Sequence, residues 1–129
     1  SEFNYADFQQ QAVEDFDHKL IKTEKYGGWD CYVVESISKD KDYVYSKSIS
    51  WIDKKSWVPV KMELFIGGKH VKNFTVQDLA QVTGVWTVKN SKMTTLETGK
   101  STTLRLSEVK YNNGMGQDFF TFEKLTAEL

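Results

Sequence analysis

The side chains in this sequence best suited to chemistry are two histidines, His18 and His70, and a single cysteine, Cys31. Zinc sites are normally built from ligands in tight local pairs. Here the three candidates fall on three separate segments, "DHKL", "CYVVES" and "GGKH". A lone cysteine in an apolar run reads as a small buried hydrophobe, and with no second cysteine no intramolecular disulfide can form. "GGKH" lacks the rest of a phosphate-binding loop and opens a strand rather than a helix. His18 and His70 read as exposed strand and turn residues. Glu14, Asp15 and Asp17 form a short acidic run of the kind that solvates a segment entering a strand. No serine occupies a nucleophile elbow, and no Ser, His and acid triplet can be argued from chain order. "NFT" at Asn73 is a glycosylation acceptor in form only. The residues thus predict no enzyme, no metal site and no cofactor.

The positive signal is aromatic and apolar. In "SISWIDKKSWVPVKMELF", residues 48–65, Trp51 lies on one alternating run, and Val60, Met62 and Leu64 lie on the next. Phe74 and Val76, Trp86 and Val88, and Leu104 and Leu106 repeat the pattern on later runs. Such a face either closes a core or accepts an apolar ligand, because ligand sites are concave, mostly apolar and common at barrel mouths. On the second reading these ten residues line a surface for acyl chains, with Trp51 and Met62 on the same concave side.

Period-two alternation calls for strands. They are expected near 17–25, 29–38, 43–53, 57–66, 70–82, 85–97 and 101–111. The separators are turn chemistry: "YGG" at 26, "SKDKD" at 38, "DKKS" at 53, "GGK" at 67, "TG" at 83 and "ETGK" at 97. Connections this short leave no room for crossover helices, so the strands should pair as an antiparallel meander of six or seven. The one proline, Pro59, falls near a strand start, where its missing donor is tolerated. Helix is expected only around Ala6 to Val13 and, as a short turn or helix, at Phe119 to Leu125.

With 129 residues the chain suits one domain. Hydrophobic residues at 40% and aromatic residues at 14% argue for an ordered, aromatic-rich β protein. The net charge is -1, and the basic residues are lysines apart from Arg105. Nucleic acid and anionic membrane surfaces reward clustered positive charge, so neither is an expected partner. No stretch has the eighteen or so apolar residues of a spanning helix.

The order of motifs adds a resemblance. "SEFNYADF", "WDCYVVES", "YSKSISWIDKKSWVPVKMELF", "FTVQDLAQVTGVWT", "TGKSTTLRLSEVKYN" and "DFFTFEKL" resemble, in that order, the C-terminal half of bacterial outer-membrane lipoprotein-sorting proteins of the LolA-like superfamily. The most specific pieces are W-x-D-K at Trp51 to Lys54, G-x-W-T at Gly84 to Thr87, and T-G-x-x-T at Thr98 to Thr102. The resemblance implies a half-open antiparallel β-barrel in the periplasm, without cofactor, that binds lipid or lipoprotein acyl chains on its hydrophobic face. Its implied partners are those chains and the membrane-export or lipoprotein-sorting machinery. It also implies that a signal peptide and the first strands and helix precede this segment, leaving a sheet edge open to self-association. The alternative is a non-enzymatic structural or protein-interaction β domain of a cell-envelope protein.

Overall fold

The structure is a computed structural model that describes residues 15–110 and 119–127, with side-chain surroundings for 15–107. The expected helix at residues 6–13 lies outside the described residues. The strands are β1 (Phe16–Tyr26), β2 (Trp29–Ser38), β3 (Lys47–Asp53), β4 (Pro59–Ile66), β5 (Lys69–Val82), β6 (Val85–Thr95), β7 (Ser101–Lys110) and β8 (Phe119–Ala127). Their order in the sheet is their order in the chain. This is the expected antiparallel meander, with β1 first and β8 last in the order.

Three expectations are corrected. Among the described residues there are eight strands, because the segment expected to be a turn or short helix at Phe119 to Leu125 is β8, paired antiparallel with β7 from Lys110↔Phe119 to Ser101↔Ala127. Its run of Phe and Thr favours the pleated state over a helical turn. The strand expected from residue 43 starts at Lys47 instead. Loop hydrogen bonds divert the backbone before it: the Asp40 side-chain Oδ1 accepts from the Asp42 N–H at 2.9 Å, and the backbone N–H of Ser38 donates to the backbone carbonyl of Ser46 at 3.1 Å across the loop. Finally, His70 is half-buried, stacked on Phe65 with ring centres 5.0 Å apart.

The chain divides into two compact units, Ser1–Val71 and Lys72–Leu129. In the first, registers set the faces. His18 lies opposite Ser36, Ser36 opposite Ser48, and Ser48 opposite Leu64. The next rung runs Leu20, Val34, Ser50 and Met62. Directly opposed residues point to the same side of a sheet. One face therefore carries Val60, Met62 and Leu64 with the serines, and it is densely packed at β4, where these three are 0%, 6% and 2% exposed. The other face carries Cys31 and Val33 beside Trp51, which lies opposite Lys61.

The β4–β5 turn uses Gly67 and Gly68, both at positive φ (55° and 81°), the backbone that a two-residue hairpin of matching twist requires. The β3–β4 turn is less accommodating. Asp53 Oδ2 accepts from the Ser56 N–H at 2.9 Å and the Ser56 hydroxyl at 2.6 Å, and Trp57 N–H donates to Asp53 O at 2.8 Å. This closure holds Trp57 at φ 63°, a left-handed conformation that costs a bulky residue about 1–2 kcal/mol. Its exposed indole recovers part of that by stacking on Tyr32, ring centres 5.6 Å apart, while Lys54 caps Tyr32 at 5.1 Å. Both Trp57→Ala and Trp57→Gly lose the stack, but only glycine relieves the backbone. The glycine variant is expected to be more stable by about 1 kcal/mol in urea denaturation, and equal midpoints would contradict this account of the turn.

In the second unit Phe74 lies opposite Met93 and Met93 opposite Thr102, while Val76, Ser91 and Leu104 form the next rung. Phe74 and Val76 are each 3% exposed, Leu106 is 8% exposed, and Leu104 is half-buried. An irregularity at Asp78 interrupts the β5–β6 ladder, after which Leu79↔Val88 and Gln81↔Trp86 resume the original register. The irregularity leaves Gln77 on β5 and Lys89 on β6 without partners in the ladder, so the alternation that ties Phe74, Val76 and Leu104 to one file does not carry across it to Val88 and Trp86.

Candidate functional site

The first unit carries an open recess of about 160 Å³. Its apolar walls are Phe16, Val34, Ile52, Pro59 and Met62, and its polar wall is His18, Ser36, Ser48 and Ser50. The strands place these side chains by simple alternation. Ser48, Ser50 and Ile52 are every second residue of β3; His18 and Ser36 come from the neighbouring rung positions of β1 and β2. Ile52 opposes Pro59 across a register shift in which β4 carries one extra residue, and that shift brings both Pro59 and Val60 to this side. At the mouth, exposed His18 joins Ser36 through Nδ1 and Oγ at 2.7 Å. Phe16 closes that end, its ring edge-on to Tyr43 at 5.5 Å.

Of the ten residues expected to line an acyl-binding face, Met62 lines this recess. Val60 and Leu64 share its side of the sheet but are packed away from solvent. Trp51 is on the opposite face, so it and Met62 do not share one surface. Phe74, Val76, Leu104 and Leu106 form one file of the second unit, and Trp86 and Val88 lie beyond the irregularity at Asp78. Eight recess residues escaped the sequence reading: Phe16, His18, Val34, Ser36, Ser48, Ser50, Ile52 and Pro59. A signal existed in "YSKSISW", where serines alternate with the Ile49 and Trp51 file, marking a strand whose second face is polar yet small.

The face behind the recess has a different chemistry. Trp51 Nε1 donates to Glu24 Oε2 at 2.7 Å, and Lys22 Nζ reaches Glu24 Oε1 at 3.0 Å. Lys61 Nζ sits 4.4 Å from the Trp51 ring centre and 5.3 Å from that of Tyr26. The Trp51 hydrogen bond first, then that from Lys22, holds the Glu24 carboxyl below its ordinary value. Cys31, fully buried on the same face, is pushed up to about 11 by burial and by the nearby charges of Asp53 and Asp30. At neutral pH it is a thiol packed as a hydrophobe, not a thiolate nucleophile. Among the described residues no three His, Cys, Asp or Glu side chains gather as a metal site would require.

A family model described as "Uncharacterized protein" matches residues 1–127. Among curated proteins none matches the chain by sequence. Three solved structures share the fold. A domain provisionally assigned as an outer membrane lipoprotein-sorting protein, from Vibrio parahaemolyticus, is 33% identical with a TM-score of 0.78, over 91% of this chain and 51% of that one. A DUF1329 family protein from Desulfovibrio piger is 23% identical with a TM-score of 0.73, over 85% and 48%. A LolA superfamily protein from Nitrosomonas europaea is 22% identical with a TM-score of 0.60, over 70% and 42%. The chain thus spans about half the length of the solved structures it matches. It belongs to the family described by that model, and its antiparallel sheet is a LolA-like fold of the kind seen in the outer membrane lipoprotein-sorting domain.

Proposed function

We propose that the protein binds acyl chains of lipids or lipoproteins in the periplasm, as a non-enzymatic part of lipoprotein sorting or lipid transport. The observation that carries this reading is the open recess on the Met62 face, in a fold shared with a domain named for lipoprotein sorting. Magnitudes limit what the first unit does alone. A cavity near 150 Å³ holds about one benzene, so roughly six carbons fit here. At ~0.8 kcal/mol for each buried methylene they contribute roughly 5 kcal/mol, and association costs at least about 4 kcal/mol. The recess therefore grips a chain segment only weakly, and tight binding draws on apolar wall elsewhere in the whole protein. The apolar file of Phe74, Val76, Leu104 and Leu106 is a second candidate lining, and Trp86 with Val88 a third.

Native mass spectrometry of the longest natural form, purified from bacterial cells without detergent, tests this. Co-purified lipid is expected. Ile52→Asp, at a half-buried recess wall, is expected to lose it while keeping the circular dichroism of the parent. Protein that carries no lipid and takes up none from added fatty acid or lipopeptide would refute the carrier reading.

The alternative, a protein-interaction domain, is favoured by β1. This eleven-residue strand stands at the end of the sheet order with Leu20 58% and Ile21 46% exposed. An exposed edge recruits other strands. On this reading the protein self-associates, and light scattering at high concentration reports a dimer or larger species rather than a monomer.

A further inference from the structure

We propose that His18, Ser36, Ser48 and Ser50 form a hydrogen-bonding subsite for the oxygen end of an acyl group, with the hydrocarbon lying along Val34, Ile52 and Met62. This rests on the acyl-binding reading and adds which part of the ligand the first unit recognises. The carrying observation is Ser50. It is 7% exposed, it lines the recess between Val34 and Met62 on its rung, and its hydroxyl is not a sealed, unpartnered group, which among the described residues is Asn90 Oδ1, but opens to the recess. A hydroxyl that opens to a recess can exchange water for a ligand oxygen, whereas a closed core would use alanine or valine there.

Ser50 is not isolated. Ser48, two residues along β3, and Ser36, directly across from it on β2, continue the polar strip to His18. Ser36 is 9% exposed, and its hydroxyl is shared with His18 Nδ1 at 2.7 Å. Successive rungs are about 6.6–6.8 Å apart. The polar rung of His18, Ser36 and Ser48 therefore lies one step from Val34 and Met62 and two steps from Ile52. A ligand matching this order is polar at one end and apolar at the other.

The charge of the lining narrows the head group. No Asp, Glu, Lys or Arg lines the recess. An amine would find no carboxylate, and a doubly charged phosphate no cation. Hydroxyls and an imidazole suit a carbonyl or a single carboxylate oxygen.

The test titrates the isotope-labelled full chain with hexanoate, methyl hexanoate and benzene, following amide and imidazole resonances. Benzene is the apolar control of matching size. Shifts at Ser48, Ser50 and His18 are expected with the acyl probes. The double variant Ser48→Ala, Ser50→Ala is expected to weaken acyl binding about tenfold, the worth of one good hydrogen bond, and to leave benzene unchanged. Ser50→Thr keeps the hydroxyl and is expected to retain binding. Preference for hexanoate identifies a free fatty acid, and preference for the ester an esterified chain; either supports the subsite. If all three probes lose equally, or the variants change nothing, the serines are structural or hydrate the recess, and the subsite is wrong although acyl binding stands. If no probe binds at all, the acyl-binding reading itself fails and the subsite falls with it.

Discussion

Val60→Asp is expected to unfold the first unit outright. Val60 is 0% exposed on the packed side of β4, flanked on its own face by Met62 and Leu64 at 6% and 2%. A carboxylate there leaves water without a cation to meet, because Lys61 points to the other side and lies over Trp51. Breaking such packing and burying an unpaired charge each cost several kcal/mol. A domain of this size holds only about 5–15 kcal/mol in total. Loss of the β spectrum at room temperature, or a urea midpoint near zero, is the expected readout. Ile52→Asp, one strand away on the same side but half-buried at the recess, is expected to fold. A stable Val60→Asp protein would mean that this face is hydrated rather than packed.

The second large effect is at Trp51. Trp51→Ala removes a ring that is 6% exposed and is expected to destabilise by about 3–5 kcal/mol. The milder Trp51→Phe keeps a ring beneath Lys61 but deletes the N–H that Glu24 accepts. Glu24 has its folded value lowered by that hydrogen bond first and by Lys22 second. A carboxyl depressed in the folded state contributes stability that is present above the ordinary carboxylate value. That contribution is lost as pH falls through the lowered one. The parent should therefore lose stability as pH is brought down through the ordinary carboxylate value and below, and Trp51→Phe should lose less over the same window. Denaturation midpoints measured at neutral pH and across that acid window check both signs. Parallel curves for parent and variant would show that Glu24 draws its shift from elsewhere.

Strands and turns were readable because period-two alternation and Gly, Asp and Lys clusters are local properties of the chain. Seven of the eight strands lay close to where the pattern put them. β8 was missed because three Phe within four positions carry no alternation, and only pairing with β7 decides their state. The candidate site was less accessible for a reason that one pair of residues makes plain. Alternation shows that Trp51 has a face and that Met62 has a face, but not that they are the same face. That depends on whether the residues between them add an odd or even step. The Asp53-capped turn, Trp57 at positive φ and the extra residue at Pro59 and Val60 set that parity, and a slip of one residue reverses every side chain. The serine file went unread because small polar residues in a strand resemble an ordinary wet surface until burial shows otherwise.

The opposed faces also govern how an occupied recess can be observed. None of the four tryptophans, Trp29, Trp51, Trp57 and Trp86, lines it. Trp51 lies on the reverse of the sheet, its indole engaged by Glu24 and Lys61. Its emission is therefore a gauge of folding and of the Glu24 charge, and is nearly blind to a ligand behind it. Unchanged Trp51 emission during a titration that displaces a solvatochromic dye is the optical signature of a filled recess, whereas Trp57, stacked on Tyr32 opposite the recess wall Ile52, lies on the recess side. Placing a new tryptophan at Ile52 would turn the wall itself into the reporter.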